Sequence, residues 1–511
     1  MSPARGLSRW SAIVVAVFCG LTPPLGAGTL RLTPIAVRGQ LAPQGQVYIL
    51  FGDIDIDSSG RVVFTASLTG GKNGIFRADR SGVETILLSG EPAPPAPGGA
   101  FFVIFEASGN SGGEVAFIAS TVASPRQGVY LLSDDGLSLL AMAGEASPTA
   151  GGETFEAFTQ VRMLESGDVY FSASIAGVED RRGIFRASPA GVEPIIVPGD
   201  RFMGLREIFR TLQFDVNEAG DVATLAVVTD FSPAADPDAV TELLLLTGGR
   251  LHTLASSQLT LSGGLNRVRF FAITFDQVHV SADGITSFFA STTEHFLGGY
   301  FQNDSGTFFD NAKILAQGDG SPLSLEDRFA EFGAFGRNAS GTLVFHATTL
   351  GRPRGGFFLK EQDVVQPVAL VGEVRPDGLG FWHGFLRTKL NENDEFVFTD
   401  FRGLIQDAVF LGRVLPPPPE ILSRIMAAIT GSGLDVGTSH ALRGKIRPVA
   451  SALRRGDLPR AVRMAGKARD WIQRRNRRKP QHGLEVVNFL LDDLIFVLVG
   501  ESPAIERESA P

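Results

Sequence analysis

The chain has 511 residues and a formal net charge of −9, and 44% of its residues are hydrophobic against 20% charged. This composition supports a large core and excludes a disordered chain, and the length exceeds that of one ordinary domain. The acidic balance argues against nucleic acid as a partner. Phe occurs 39 times and Gly 60 times, which indicates short strands joined by tight turns.

The first 27 residues predict a secretory signal peptide. Arg5 and Arg9 precede an apolar run from Trp10 to Leu21, and small residues follow up to Ala27. An uncleaved anchor and a lipoprotein acylated at Cys19 are the alternatives. Cleavage predicts an exported chain, which is periplasmic, at the cell surface or extracellular, and which has no transmembrane helix. Because Cys19 is the only cysteine, the mature chain would depend on its core and not on disulfides.

Three alternating aspartates, Asp53, Asp55 and Asp57, occur in the segment FGDIDIDSSGRVVF (51–64). Calcium loops begin with oxygen ligands at this spacing. However, the segment DSSGRVVF recurs along the chain without the aspartates at 53 and 55. Its copies are DSSGRVVF (57–64), NSGGEVAF (110–117), LESGDVYF (164–171), NEAGDVAT (217–224), SADGITSF (281–288), NASGTLVF (338–345) and NENDEFVF (391–398).

Each copy predicts a hairpin turn, because Asn or Asp caps its own backbone and Gly accepts a positive φ. The residues assigned this structural role are Asp57, Gly60, Asn110, Gly113, Gly167, Asn217, Gly220, Gly284, Asn338, Gly341 and Asn391. Leu164 and Ser281 stand at the capping position in two copies. We therefore interpret Asp57 as a turn cap. A calcium site formed by Asp53, Asp55 and Asp57 is the less favoured alternative, and no other metal or cofactor is predicted.

Further segments show that each unit contains about four strands. A strand such as GIFRA (74–78) follows every turn, and most units close with a segment such as LLSGEP (87–92), which TLASSQ (253–258) replaces in the fourth unit. The seventh unit lacks this last strand, whereas the N-terminal AVRGQLAP (36–43) matches ALVGEVRP (369–376). The predicted fold class is therefore mainly β, a seven-bladed β-propeller over residues 28–415 that is closed by the N-terminal strand. An open solenoid is the alternative.

The units resemble the tandem NxxGxxAF repeats of bacterial secreted proteins, most clearly in NSGGEVAF and NASGTLVF. The similarity covers roughly residues 30–415, and units four and five depart from the pattern. The resemblance implies a propeller-like exported protein and provides no catalytic residues.

The C-terminal part predicts a proline-rich linker (416–420) and a small α-helical domain of four helices (421–511). Asp457 is the expected N-cap of the third helix, and Asp492 and Asp493 argue against a membrane span in the last. The module is similar to a helical hairpin at the ends of bacterial exported proteins. Its basic run is a solvated helix end or a contact with an anionic envelope surface, through Arg474, Arg475, Arg477, Arg478 and Lys479.

Signals for catalysis are weak. GNSGG (109–113) resembles the nucleophile segment of trypsin-like proteases but occupies a hairpin turn, and the seven histidines lack metal-ligand spacing. We expect His346 to be structural, and we expect the innermost strands to provide no convergent polar set.

We therefore expect a non-enzymatic exported binding or scaffold protein. The loops of one propeller face, among them 229–242 and 292–299, would engage a protein or a glycan. The alternatives are a hydrolase or lyase with an axial site, and a structural envelope component docked by its basic tail.

Overall fold

A computed structural model describes residues 29–500 except 80–81, 95–98, 123–125, 150, 178–180, 203–205, 231–239, 257–269, 293–298, 304–310, 325, 351–354, 403–404, 432–433 and 479–481. The predicted signal peptide with Cys19, and most of the loops 229–242 and 292–299, lie outside the described residues. The chain divides into two compact units, which are Thr33–Gly412, and Met1–Leu32 with Arg413–Pro511.

The strands, in chain order, are β1 (Thr29–Val37), β2 (Tyr48–Ile56), β3 (Val62–Leu68), β4 (Lys72–Asp79), β5 (Gly82–Leu88), β6 (Phe101–Gly109), β7 (Val115–Thr121), β8 (Gln127–Ser133), β9 (Gly136–Met142), β10 (Phe155–Met163), β11 (Val169–Ile175), β12 (Arg182–Ser188), β13 (Gly191–Ile196), β14 (Arg201–Phe202), β15 (Arg206–Val216), β16 (Val222–Asp230), β17 (Val240–Thr247), β18 (Arg250–Ser256), β19 (Phe270–Val280), β20 (Thr286–Thr292), β21 (Gly299–Asn303), β22 (Asn311–Ala316), β23 (Phe329–Arg337), β24 (Leu343–Thr349), β25 (Gly356–Glu361), β26 (Val364–Leu370), β27 (Phe385–Leu390), β28 (Glu395–Arg402) and β29 (Ile405–Leu415).

These strands form separate sheets in a β-propeller arrangement. The sheets are β2-β3-β4-β5, β6-β7-β8-β9, β10-β11-β12-β13, β14-β15-β16-β17-β18, β19-β20-β21-β22, β23-β24-β25-β26 and β1-β29-β28-β27. The N-terminal strand β1 pairs with β29 and completes the last sheet, as the match between residues 36–43 and 369–376 predicts. The innermost strands are β2, β6, β10, β15, β19, β23 and β27. Each contacts the next, and β27 contacts β2.

Phenylalanines at the repeat position form the core between the sheets. Phe64, Phe117, Phe171, Phe288, Phe345 and Phe398 are all fully buried. Within a sheet, this ring stacks on the aromatic ring of the next strand, for example Phe64 on Phe76 at 5.4 Å and Phe117 on Tyr130 at 5.4 Å. The repeated hairpin therefore positions one large aromatic group per sheet, and burial of that group stabilises the fold.

The repeat turns are held by their own side chains. The side-chain Oδ1 of Asn391 accepts hydrogen bonds from the backbone N–H groups of Asn393 (2.9 Å) and Glu395 (3.0 Å), and Asp57, Asn110, Asn217 and Asn338 cap their turns in the same way. The turn glycines have positive φ, and Asp394 takes that conformation in the seventh turn.

The same asparagines also join neighbouring turns. Asn391 Nδ2 donates to the backbone carbonyl of Asp57 (2.9 Å), Asn338 Nδ2 to Asn391 (3.2 Å) and Asn217 Nδ2 to Ser281 (3.1 Å). Asp57 has no such donor, and Arg61 bonds to the Asn110 carbonyl in its place (2.8 Å). Each capping residue is therefore part of a network that links successive turns.

The second unit contains four helices, α1 (Pro418–Gly431), α2 (Val436–Arg454), α3 (Leu458–Arg478) and α4 (His482–Gly500). Their apolar faces form one core with Leu415. Asp493 on α4 is buried and paired with Arg413 (3.1 Å) and Arg31 (2.7 Å), and Asp492 pairs with Arg469 (3.3 Å). Among the described helices, none is long and apolar enough to cross a membrane.

The predicted linker at 416–420 is partly wrong. Pro418, Pro419 and Glu420 belong to the first turn of α1. Proline is compatible with this position because the first helical N–H groups have no intrahelical acceptor.

We expect Asn391→Ala to lower the free energy of unfolding by about 2 kcal/mol, because the turn loses its cap and the Asp57 carbonyl loses its donor. Urea unfolding of the variant and of the wild type measures the difference. Asn110→Ala is the matched variant in an interior turn and should cost a similar amount. A much smaller loss for Asn391→Ala would contradict a bonded junction between the last turn and the first.

Candidate functional site

Charged or titratable side chains from six innermost strands come together in the propeller unit. They occupy positions two and four residues before the turns, or the equivalent positions in the units without a capping residue. We name this set the axial charge cluster, and its members are Asp53, Asp55, Glu106, Arg162, Asp215, His279, Arg387 and Lys389. The expectation that the innermost strands provide no convergent polar set is wrong, because six of the seven sheets contribute a charged or titratable side chain at one or both of two shared positions.

Hydrogen bonds and ion pairs connect the cluster. Arg387 contacts Asp53 at 2.5 Å, and His279 Nδ1 lies 2.7 Å from Asp215 Oδ2. Arg162 Nε lies 3.7 Å from Asp215 Oδ1. Outside the charged set, Ser108 Oγ donates to Asp55 (2.6 Å). Basic side chains and carboxylates from different sheets are thus paired.

Burial and neighbouring charge shift the protonation of these groups. Burial raises the pKa of Asp55, against the lowering effect of Lys389 and Arg162, and burial lowers the pKa of Lys389. Burial also opposes ionisation of Asp215, but interaction with His279 holds the pKa of Asp215 below its usual range. For Arg162, the surrounding carboxylates outweigh burial, so its pKa lies above its ordinary value.

Glu106 and Arg387 are the cluster members that line a cavity of about 430 Å³. Burial, with the added repulsion of Asp53, raises the pKa of Glu106 to about 7. Its Oε2 accepts a hydrogen bond from the Val161 backbone N–H at 3.3 Å. The cavity lies where the innermost strands begin, and its walls are Leu50, Gly52, Thr65, Ala66, Ser67, Asn73, Ile104, Phe105, Glu106, Gln127, Phe158, Thr159 and Arg387.

Asp53 retains an unused acceptor beside these walls. The residue is 6% exposed, and its Oδ1 pairs with Arg387. Its Oδ2 is buried and has no hydrogen-bond partner among the described residues. A buried carboxylate oxygen without a donor is destabilising.

Exposed apolar side chains lie on the strands that form the cavity, and two of them, Leu50 and Phe105, are among its walls. We name the following residues the apolar rim: Ile49, Leu50, Phe102, Phe105 and Leu386. They lie in the first five residues of β2, β6 and β27, on three neighbouring sheets, and Phe102 is 62% exposed. Exposed apolar residues gathered at one place, unlike scattered ones, indicate an interaction surface.

The opposite end, where the innermost strands finish, is closed by hydrogen bonds between turns. Glu165 accepts from the backbone N–H groups of Ser111 (2.7 Å) and Ser58 (3.1 Å), and Glu392 accepts from Ala339 (2.8 Å) and Ala282 (3.3 Å). Burial acts to raise the pKa of Glu165, but these hydrogen bonds outweigh it and the pKa is lowered. The two ends of the propeller unit are therefore chemically different.

The structure separates the three aspartates of the calcium alternative. The Asp57 carboxylate is bonded to Ser59 and Arg61, that of Asp53 to Arg387 and that of Asp55 to Ser108. Among the described residues, there is no group of three or more His, Cys, Asp or Glu side chains that could hold a metal ion. Burial lowers the pKa of His346 to about 4, and its ring lies 5.8 Å from that of Phe385.

The residues proposed to contact an anionic surface lie at the end of α3. Arg474, Arg475 and Arg477 are exposed, and Arg475 also contacts Thr438 at 3.3 Å. Lys479 and the side chain of Arg478 lie outside the described residues. Charge is unevenly distributed, since residues 30–412 contain 45 Asp and Glu against 27 Lys and Arg, and residues 413–511 contain 10 against 17. Docking through the basic helices stays a prediction.

One family model matches residues 26–240, which end at the start of β17, and it is described as a family of unknown function (DUF7453). The chain is therefore similar to this family over its N-terminal part. The comparison with curated proteins gave no match. The resemblance to NxxGxxAF repeats and that of the helical module stay predictions.

Solved structures that resemble the chain include several β-propellers and enzymes. The β-propeller domain of the Trilobed protease from Pyrococcus furiosus has a TM-score of 0.44 at 9% identity, over 72% of this chain and 96% of that one. A puromycin hydrolase has a TM-score of 0.42 at 14% identity, over 72% and 52%. A gluconolactonase from Xanthomonas campestris has a TM-score of 0.30 at 14% identity, over 58% and 82%.

We expect Arg162→Met to lower the free energy of unfolding by about 3–5 kcal/mol, because buried carboxylates lose the cation between them. Urea unfolding checks the effect. Arg402→Met is the matched control, since Arg402 is exposed at the end of β28, and it should change stability by less than about 0.5 kcal/mol. Equal effects of the two substitutions would show that Arg162 does not balance the cluster.

Proposed function

We propose that the chain is an exported binding protein that holds a protein partner on the apolar rim, at the end where the innermost strands begin. The observation that carries this proposal is the position of the rim: five exposed apolar side chains lie on three neighbouring sheets, and two of them, Leu50 and Phe105, line one cavity. Apolar side chains in such a group gain free energy when a partner removes them from water. The opposite end offers no comparable site among the described residues, because carboxylates cap its turns.

The rim would stand on a closed seven-bladed propeller. Seven sheets are present, each innermost strand contacts the next, and β27 contacts β2. The bond from Asn391 to Asp57 joins the last turn to the first. Closure favours binding because a platform that is already rigid loses little conformational entropy when a partner docks.

A protein partner fits the rim better than a glycan does. The rim consists of Ile, Leu and Phe, whose side chains have no hydrogen-bonding atoms, whereas sugars present many hydroxyl groups that need donors and acceptors. Interaction surfaces between proteins combine such apolar centres with a polar surround. The N-terminal segment, with its charged start and apolar run, supports a function outside the cytoplasm.

A hydrolase or lyase with an axial site is the second candidate. The observation that favours it is Glu106, which lines the cavity and whose raised pKa of about 7 suits a general acid or base at neutral pH. In that case Glu106→Gln would abolish turnover of a substrate, whereas the rim variants would mainly weaken its binding.

Panning a phage-displayed library of random twelve-residue peptides on the immobilised protein tests the leading proposal. We expect enriched peptides with micromolar affinity, and we expect Phe105→Asp and Leu386→Asp each to weaken them at least tenfold, because a charge in an apolar contact must be desolvated. Fluorescence anisotropy with purified protein gives the affinities.

Val364→Asp is the control for this experiment, since Val364 is an exposed valine at the start of β26 and is not part of the rim. It should leave the affinities unchanged. Peptides that bind all three variants equally would overturn the apolar rim as the binding surface, and an envelope glycan that raises the melting temperature while no peptide is enriched would replace the protein partner by a glycan.

A further inference from the structure

Two charged side chains, Glu106 and Arg387, line the cavity beside the apolar rim, and they differ in how far they are already paired. Arg387 is already paired with Asp53 at 2.5 Å. Glu106 accepts only the long hydrogen bond from Val161 N–H, at 3.3 Å, among the contacts described. Among the described residues, the carboxylate of Glu106 is thus the wall that can receive a ligand, and the Asp53 carboxylate interacts with it electrostatically.

The composition of the axial charge cluster favours a positive ligand. Its four carboxylates are Asp53, Asp55, Glu106 and Asp215, whereas its guanidinium and amino groups are those of Arg162, Arg387 and Lys389. His279 is the remaining base, and it is hydrogen-bonded to Asp215. With Glu106 ionised, the cluster therefore accepts one further cation next to the cavity.

The other walls suit the stem of a long side chain. Ile104, Phe105 and Phe158 provide apolar surface, and Gln127 and Thr159 add polar atoms. Lysine and arginine pack their methylenes on apolar surface and leave the charged end to a polar partner. The excess of Asp and Glu in residues 30–412 would also attract a basic segment over longer range.

We infer that the cavity binds a lysine or arginine side chain of the partner, whose charged end reaches Glu106 and whose methylenes pack on Ile104, Phe105 and Phe158. This inference rests on the proposed function, since the basic residue belongs to the protein held on the rim. It identifies the chemistry of the partner as a basic residue within an apolar segment.

Binding of such a residue depends on pH in a defined direction. Glu106 faces Asp53 from β2, Arg162 from β10 and Arg387 from β27, and its pKa is raised to about 7. Above pH 7 the carboxylate is ionised and attracts the cation, whereas below pH 6 it is mostly protonated and the attraction is lost. The preference for a basic residue therefore increases from acidic to alkaline pH.

The test uses two fluorescent pools of heptapeptides with random flanking positions, one with lysine and one with norleucine at the centre. Norleucine has the same stem without the charge. At pH 8, we expect the lysine pool to bind the purified protein at least tenfold more tightly in fluorescence anisotropy. We expect the two pools to bind about equally at pH 5.5. Glu106→Gln should remove the preference at pH 8, and the thermal melt of this variant checks that it is folded.

Glu156→Gln is the matched control, because Glu156 lies on the innermost strand β10 but is exposed and is not a wall of the cavity. It should keep the preference for lysine. Equal binding of both pools to the wild type, with loss of both in Phe105→Asp, would overturn the cation site and leave the rim as the binding surface. Failure of both pools to bind would overturn the cation site and the peptide-binding function together.

Discussion

The structure depends on one constraint, which is that the innermost strands must fill the space around the axis with side chains that balance one another. At two positions on each strand, side chains from different sheets meet, and in this chain many of them are charged. A buried charge is strongly destabilising unless a partner lies close. The pairs Arg387–Asp53 and His279–Asp215, with Arg162 between several carboxylates, satisfy this requirement. A set of electrostatic contacts between distant parts of the sequence thus helps to specify how the sheets meet.

The two ends of the strands have different roles for the same reason. At the end of each innermost strand the chain turns at once, and the turn satisfies its own polar groups and those of its neighbours through Asn391, Asn338, Glu165 and Glu392. Little is left there for a partner. At the start of the strands the chain arrives from longer connections, and apolar side chains and a cavity remain open. The proposal places binding at that end because the repeated turns close the other.

Much of the fold could be predicted from the sequence, because it is encoded locally and repeatedly. The turn residues Asn110, Asn338 and Asn391 recur with the same neighbours, and the phenylalanines that follow them mark the core positions. The match between the first strand and the missing last strand is also a local pattern. Turn chemistry and apolar periodicity act within a few residues, so a repeat makes them visible.

The candidate site could not be predicted in this way, because its residues differ from unit to unit. The position two residues before the turn holds Asp55, Ser108, Arg162, Asp215 and, at its later occurrences, His279, Gly336 and Lys389. Because the residue at this position varies from unit to unit, it does not stand out as part of the repeat. Our expectation of no convergent polar set followed from this variation. The signal that was available is the charge at this repeated position. Equivalent inward positions that carry both acidic and basic residues indicate that these charges neutralise one another across the axis. The pKa of Glu106 depends on burial and on Asp53, Arg162 and Arg387 together, and only the folded chain shows these.

The most direct test of the cation site is a titration of the Glu106 side-chain carboxyl carbon by nuclear magnetic resonance. The signal is assigned by its absence in Glu106→Gln. We expect a titration midpoint near pH 7 in the free protein. We expect a lower midpoint when a lysine-containing peptide is bound, because a cation favours the ionised form of the carboxyl group. A midpoint near the ordinary glutamate value of 4.5, unchanged by the peptide, would contradict the buried, cation-accepting carboxylate on which the account rests.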